Sequence, residues 1–197
     1  MNESASKSTT KESITVARNV DGFDTKALFL LSSGLYVVSA GALAEEALPA
    51  ARSGCVVNTV VQVTSRPPRV SVAVNKDNFT SGLIRRAGAF AVTVIDQSAD
   101  MLFIGNFGFR TGADYDKFAR YEASQTALGM PYTTAHACAM LSCRLVDTVD
   151  VGTHLLFIGE VREADRLSEN PPLTYDYYHK VLKGKTPPKA SSFVPES

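Results

Sequence analysis

The chain has 197 residues, 45% of them hydrophobic, and equal numbers of basic and acidic residues give a formal net charge of zero. This length and apolar content predict one domain with a core of ordinary size. The lack of a basic excess excludes a surface that binds nucleic acid mainly through phosphate contacts, and it excludes a polybasic membrane anchor.

The three cysteines, Cys55, Cys138 and Cys143, are an odd number and include no Cys-x-x-Cys pair. A zinc or rubredoxin site needs paired cysteines at short spacing, so we expect no bound metal. Scattered thiols are typical of a reducing compartment, and we expect a cytoplasmic protein.

The amino-terminal residues are charged and rich in serine and threonine, without the apolar segment of a secretory signal. We expect residues 1–22 to form a disordered extension. Residues 27–44 carry no charged side chain, but serines and glycines interrupt them. A short helix over 24–33 followed by a strand is therefore expected rather than a membrane span, and 41–52 is expected to be a surface connection or a short helix.

Residues 54–64 predict one long strand that ends before a double proline. Successive strand side chains point to opposite faces, so Asn58, Gln62 and Thr64 share a face with valines. Uncharged hydrogen-bonding groups on a half-buried face suit a neutral, planar, polar ligand. A merely half-exposed strand is the alternative, which the pattern alone leaves open.

A second strand is predicted to end at Asn75, and a helix to begin at Asn78 or Thr80 and to stop at Gly88. The start of a helix attracts anions because its N–H groups and dipole point outward, and Lys76 adds a full charge. The alternative is an ordinary capped helix with a solvated lysine.

The rest of the pattern predicts short strands and few helices, which favours an antiparallel barrel. A Rossmann unit is excluded, because the glycine spacing at 105–112 does not fit a dinucleotide-binding loop. The predicted elements are a strand over 90–95, a helix over 99–106 capped by Ser98, a glycine-rich loop over 105–113, a hairpin of 140–149 with 154–163, and an irregular arm from Asn170.

Taken in order, several of these segments resemble the flavin reductase-like, FMN-binding split-barrel family. The subgroup that looks most similar is the flavin reductase module found alone or fused to rubredoxin-like domains in anaerobes. The segments that carry the resemblance are 34–38, 54–59 with the double proline, 74–76, 107–112 with 116–118, 152–161 and 172–178.

The resemblance implies a mainly β fold, a split β-barrel with Greek-key connections and a few flanking helices, over residues 23–188, with 189–197 as a tail. It also implies a homodimer with FMN in a groove near the dimer interface. Hydride would pass from NADH or NADPH to the flavin, and the protein would bind, orient and tune the cofactor.

The resemblance also implies roles for single residues. Lys76 and the helix start would hold the FMN phosphate, and the polar strand would meet the ribityl chain and the ring edge. The cofactor-binding residues are then Asn58, Thr59, Val60, Gln62, Thr64, Asn75, Lys76, Asn78 and Thr80.

The catalytic residues implied are His154, beside the nicotinamide, and Cys55, near the flavin. Cys55 has only Arg52 as a nearby basic residue in the sequence, so it is a pocket-lining thiol first and a redox participant second. Arg110 and Lys117 could reach a phosphate, although charged residues in a glycine-flanked loop are usually solvated. We assign no role to the other two histidines.

Two other functions compete with the flavin reductase. One is an electron carrier that keeps FMN and passes electrons between protein partners, and the other is a barrel that has lost its flavin. The polar strand and Lys76 disfavour the latter. The sequence leaves open the choice of NADH or NADPH, the final electron acceptor, and whether FMN is a substrate or a permanently bound group.

Overall fold

The computed structural model describes residues 25–41, 51–185 and 190. The predicted extension 1–22, most of the connection 41–52 and nearly all of the tail 189–197 lie outside these residues. The chain divides into two compact units, Met1–Leu31 and Ser32–Ser197. In the first unit a 3-10 helix spans Thr25–Leu30, within the helix predicted over 24–33.

The second unit is mainly β, which confirms the predicted class. Seven strands form an antiparallel sheet in the order β2-β1-β5-β8-β9-β4-β3, and β6 pairs with β7. The strands are β1 Tyr36–Gly41, β2 Arg52–Val57, β3 Val61–Ser65, β4 Pro68–Asn75, β5 Ala89–Ile95, β6 Ala123–Gln125, β7 Pro131–Thr133, β8 Ala137–Asp150 and β9 His154–Arg166, and the helices are α1 Phe79–Ala87, α2 Met101–Gly108 and α3 Tyr175–Lys180.

No helix in the described ranges is both long and apolar enough to cross a bilayer.

The single long strand predicted over 54–64 is wrong. The chain leaves the sheet after Val57 and re-enters it at Val61, so that β2 pairs with β1 while β3 pairs with β4. These two strands are the opposite ends of the seven-stranded order. Since the link 58–60 can span only about 14 Å between its flanking residues, the sheet must curve until the ends of its two edge strands come within that distance.

Thr59 attaches this link to the neighbouring strand. Its hydroxyl donates to the carbonyl of Ala73 at 2.9 Å and accepts from the Ala73 N–H at 3.2 Å. The side chain thus completes backbone hydrogen bonding at a point where the β3–β4 ladder has already ended.

The interior of the curved sheet is filled by alternate strand residues. On β4 the valines at 70, 72 and 74 are buried, whereas the residues between them are half-exposed. Phe90 and Phe157 are fully buried in the same core cluster. A second cluster lies around α2, where Phe103 and Phe107 are both fully buried.

Helix α1 begins and ends where the sequence predicts. The side chain of Asn78 accepts a hydrogen bond from the N–H of Thr80 at 3.0 Å, as an N-cap does. Gly88 closes the helix in the left-handed conformation, with φ of 62°, and donates to the carbonyl of Ile84.

Three other details differ from prediction. The N-cap of α2 is Asp100, which accepts from the N–H of Phe103 at 2.8 Å, and not Ser98, whose hydroxyl instead donates to Asp96. Helix α2 also continues to Gly108, into the predicted loop. The arm predicted as irregular from Asn170 contains helix α3.

The hairpin predicted near the end of the chain is confirmed and is longer than expected. Strands β8 and β9 pair from Ala139 with Arg166 to Asp150 with Leu155, with two register shifts. The turn between them contains Gly152 at φ of 91°, a conformation that favours glycine. The β6–β7 pair was not predicted.

We expect Gly159→Ala to destabilise the fold by about 1–3 kcal/mol through overpacking. A Cβ at Gly159 would lie 2.5 Å from the ring of Phe90 and 2.8 Å from the Cβ of Cys143. The matched control is Gly82→Ala in α1, where the new Cβ would approach only the end of Arg86, at 3.4 Å.

That control should stabilise the protein by about 0.5–1 kcal/mol, because alanine replaces glycine within a helix. Urea unfolding of the three proteins measures both effects. Equal midpoints for Gly159→Ala and the wild type would contradict the close packing described here.

Candidate functional site

Several of the predicted site residues meet at one end of β4. Asn75 and His154 are direct partners in the β4–β9 ladder. The N–H of Lys76 donates to the carbonyl of Thr153 at 3.1 Å. Because Thr59 bonds to Ala73 two residues before Asn75, the link 58–60 lies beside the same end of the strand.

The start of α1 lies directly after this strand end. The turn that connects them is ordered by Asn75, whose side chain accepts from the N–H of Asp77 at 2.9 Å, and by the N-cap Asn78. The first turn of α1 carries no acidic side chain. The positive end of the helix dipole is therefore not opposed by a carboxylate within the helix itself.

Lys76 adds a full positive charge here, but it is paired. Its Nζ lies 2.6 Å and 2.7 Å from the two carboxylate oxygens of Asp150, and its side chain is 39% exposed. The hydrogen bond from Lys76, together with one from the N–H of Gly152, lowers the pKa of Asp150. Asp150 is thus ionised at neutral pH, and any anion that binds Lys76 competes with it.

His154 is half-buried at the first position of β9, next to the glycine turn. Its Nδ1 lies 2.8 Å from the hydroxyl of Thr153, a contact that restricts the orientation of the ring.

Cys55 is buried in β2 with only 2% of its surface exposed. Burial raises the pKa of its thiol to about 11, although Lys117 and a hydrogen bond with Thr80 act in the opposite direction. The group is therefore a neutral thiol at physiological pH, which favours a packing role over that of a nucleophile.

Thr80 is also fully buried, and its hydroxyl donates to that of Ser53 at 3.2 Å. Its N–H is engaged by Asn78. Thr80 thus joins the first turn of α1 to β2, and its side chain is directed into the protein.

Three further predicted residues belong to the link and to β3. Val60 is half-buried against the barrel core. Gln62 and Thr64 are exposed on the edge strand, where Gln62 donates to the Thr64 carbonyl and Thr64 donates to that of Pro67. Gln62 pairs with Val70 and Thr64 with Arg69, so Gln62 and Thr64 lie near the start of β4, whereas Lys76 follows its end.

Two residues of this region were not recognised from the sequence. Asp150 was expected only as part of a turn, and Lys117 was expected to be solvated. Lys117 is in fact buried, and its Nζ donates to the carbonyls of Gly54 and Phe107. No local sequence pattern reveals either role. The Lys76–Asp150 and Lys117–Gly54 contacts join residues more than sixty positions apart, and the Lys117–Phe107 contact depends on how α2 packs.

Arg110, by contrast, is exposed and lies over the ring of Tyr115, 4.4 Å from its centroid. Among the described residues no group of three or more His, Cys, Asp or Glu side chains could hold a metal ion.

The sequence model of the family described as "Flavin reductase like domain" matches residues 28–182 of this chain. Of the curated relatives, the "High molecular weight rubredoxin" of Moorella thermoacetica is 41% identical over 171 residues, which are 87% of this chain and 72% of the relative. The "Ferric-chelate reductase (NAD(P)H)" of Archaeoglobus fulgidus is 38% identical over 86% of this chain and 97% of its own length. An "FMN reductase (NADH)" of Bradyrhizobium diazoefficiens is 31% identical over 75% of this chain and 79% of its own length.

Solved structures with the same fold include the NADH:FAD oxidoreductase of Streptomyces globisporus C-1027. It superimposes with a TM-score of 0.66 and 24% identity, covering 77% of this chain and 86% of that one. Flavoredoxin from Methanosarcina acetivorans superimposes with a TM-score of 0.62 and 24% identity, covering 81% and 77%. At this level of identity the superpositions establish the fold, and they confirm the predicted split-barrel architecture.

Proposed function

The chain belongs to the flavin reductase-like family of oxidoreductases, and from that membership we propose that it binds FMN and transfers to it a hydride from NADH or NADPH. The observation that carries the proposal is the convergence of Lys76, the start of α1, the link 58–60 and His154 at one end of β4.

The side chains at this end of β4 fit the chemistry of FMN. A cation beside a helix start suits a phosphate, and a backbone link with uncharged polar side chains suits a neutral ring that is rich in hydrogen-bonding groups. FMN would supply the hydride acceptor, a role that no amino-acid side chain can fill.

The protein's own groups would then bind and orient the reactants. Lys76 and the positive end of the α1 dipole attract the phosphate, and Asp150 yields Lys76 to it. Asn58 and Thr59, with the backbone at Val60, meet the ribityl chain and the ring edge. His154, oriented by Thr153, lies beside Asn75 and positions the nicotinamide of the donor.

The remaining predicted residues have supporting roles in this proposal. Cys55 and Thr80 lie beneath the site as buried contacts between β2 and α1. Gln62 and Thr64 lie on the exposed edge strand, where they would contact only an FMN that is bound by a second copy of the chain.

We further propose that the working unit is a homodimer. Paired residues on antiparallel strands face the same side, so Val61, Ala73, Val149, Leu156 and Ile158 form one outward apolar face across β3, β4, β9 and β8. Their burial ranges from half-buried to exposed in the single chain. A second copy would cover this face, which also carries Asn75 and His154.

Three finer assignments complete the proposal. The flavin-binding domain would extend over 23–188. Three free cysteines, all buried, support a reducing and hence cytoplasmic location. A second candidate function is that of an FMN-carrying protein that passes electrons to a protein partner. The relative named as a rubredoxin favours it, and this chain covers 72% of that relative.

Absorbance spectroscopy of the purified protein with added FMN, before and after anaerobic NADH or NADPH, tests the proposed function. We expect a yellow complex whose flavin band bleaches on addition of one of the two donors. A band that persists with both donors would favour the electron carrier. A protein that binds no FMN would contradict both functions.

We expect Lys76→Ala to weaken FMN binding by more than tenfold, because one charge-assisted phosphate contact contributes about 1.5–3 kcal/mol. Fluorescence titration measures the dissociation constant. The control is Lys180→Ala on α3, which breaks an exposed ion pair with Asp176 and should change nothing. If Lys76→Ala bound FMN as tightly as the wild type, the phosphate would have to bind elsewhere.

His154→Ala is expected to slow reduction of bound FMN by about 10²–10⁴-fold while FMN affinity stays largely intact, because a positioned histidine orients the donor or handles a proton. Thr153→Val, which removes the hydroxyl contact to Nδ1, should slow the reaction less. Stopped-flow bleaching at saturating donor gives the rates. Wild-type rates in His154→Ala would leave the residue a structural role, and loss of FMN binding would instead put it in the flavin pocket.

Light scattering should give twice the 21.2 kDa mass of one chain at micromolar concentration. Val61→Lys introduces a charge on the apolar face and should shift the protein toward monomer. Val181→Lys, at a similarly exposed valine just after α3, should leave the mass unchanged. A monomer mass for the wild type with FMN present would rule out the dimer.

A further inference from the structure

Lys117 is the one lysine or arginine that is buried among the described residues, with 2% of its surface exposed. Removing an ammonium group from water is costly, and this burial lowers the pKa of Lys117. The neighbouring carboxylate does not offset the cost directly, because Asp116 forms a two-point ion pair with Arg52, at 2.6 Å and 3.1 Å.

Both hydrogen-bond acceptors of Lys117 are backbone carbonyls in different elements. Its Nζ lies 2.7 Å from the oxygen of Gly54 in β2 and 2.8 Å from that of Phe107 in α2. Phe107 is in the last turn of its helix, where carbonyls lack intrahelical partners and the dipole favours a cation. Gly54 is in an edge strand of the sheet. The ammonium therefore joins the edge of the sheet to the end of α2.

The position of Lys117 is itself tightly determined. Asn106 donates to the Lys117 carbonyl at 2.7 Å, and that amide is buried. The adjacent Asp116 is bound to Arg52 at the start of β2. Lys117 and its flanking residues thus contact β2 at two points and α2 at two points.

Strand β2 leads to both parts of the proposed flavin site. On one side of Gly54, Ser53 accepts from the buried hydroxyl of Thr80 in the first turn of α1. On the other side, Cys55 forms a hydrogen bond with Thr80, and the charge of Lys117 acts to lower the pKa of its thiol. The strand ends at Val57, and the chain continues directly into the link 58–60.

The loop between α2 and Lys117 packs against the same region. A Cβ on Gly112 would lie 2.1 Å from the hydroxyl oxygen of Ser53 and 3.1 Å from the ring of Phe79, the first residue of α1. This loop therefore lies between β2 and the start of α1, with Lys117 at its far end. A shift of β2 would move the loop, the helix start and the link together.

We infer that Lys117 is a positioning residue for the flavin. It makes no contact with the cofactor, but its buried ammonium holds β2 against α2 and so sets the phosphate-binding helix start and the ring-binding link at the same time. The inference rests on the proposed function, since it assumes that these two regions bind FMN.

Comparison of FMN with riboflavin, which lacks the phosphate, tests the inference. Lys117→Met keeps the unbranched apolar stem and removes the ammonium group, and it should weaken binding of both ligands by a similar factor of about tenfold or more, as expected for loss of a charge-assisted hydrogen bond. Lys76→Ala should weaken binding of FMN alone. Titrations of flavin fluorescence measure all four constants.

A general loss of stability must be separated from positioning. Leu173→Ala removes a fully buried side chain of the cluster around α2, and the backbone of this residue bonds to Leu35 and Ile95 rather than to β2 or Lys117. This control should lower the melting temperature and leave both flavin constants unchanged. If Lys117→Met does not fold, Asn106→Ala removes the support of Lys117 and should give the same pattern with a smaller factor.

The outcomes are distinct. A wild type that binds neither flavin contradicts the proposed function itself. If the wild type binds, then unchanged constants in Lys117→Met and Asn106→Ala overturn the inference. If Lys117→Met weakened binding of FMN alone, Lys117 would be a phosphate contact. If Leu173→Ala weakened binding of both flavins equally, the effect of Lys117→Met would be one of stability. Each of these results also overturns the inference.

Discussion

The short link 58–60 is the constraint on which the rest of the structure depends. It joins the two end strands of a seven-stranded sheet, and a chain of this length can connect them only if the sheet curves into a barrel. The same closure leaves the backbone of the link outside the regular ladders. Thr59 satisfies the neighbouring Ala73, and the polar groups of the link remain at the end of β4, beside Asn75.

Two lysines on either side of this closure show how burial decides the role of a charge. Lys76 is partly exposed and is paired with the surface carboxylate of Asp150. Such an ion pair contributes little to stability, so another anion can replace the carboxylate. Lys117 is buried on two carbonyls, where an unpaired ammonium would be very costly. The first is therefore suited to binding a ligand and the second to holding elements in place.

The prediction from sequence succeeded where the signal is local. Alternating valines located β4 and β5, and Asn78 and Gly88 bounded α1 because capping depends on the residues themselves. It failed at 54–64, since valines and uncharged polar residues continue across the break and nothing nearby in the sequence ends the strand. It also chose Ser98 over Asp100 as a cap, because both residue types suit that position.

The sequence alone determined the β-rich class, the ends of α1 and the membership of an oxidoreductase family through an ordered series of motifs. The tertiary structure decided which residues meet. It paired Lys76 with Asp150, set His154 opposite Asn75, and buried Lys117 and Cys55, while Gln62 and Thr64 stayed on an exposed edge. These outcomes depend on strand register and barrel closure, which join segments far apart in the chain, so no local pattern of residues could specify them.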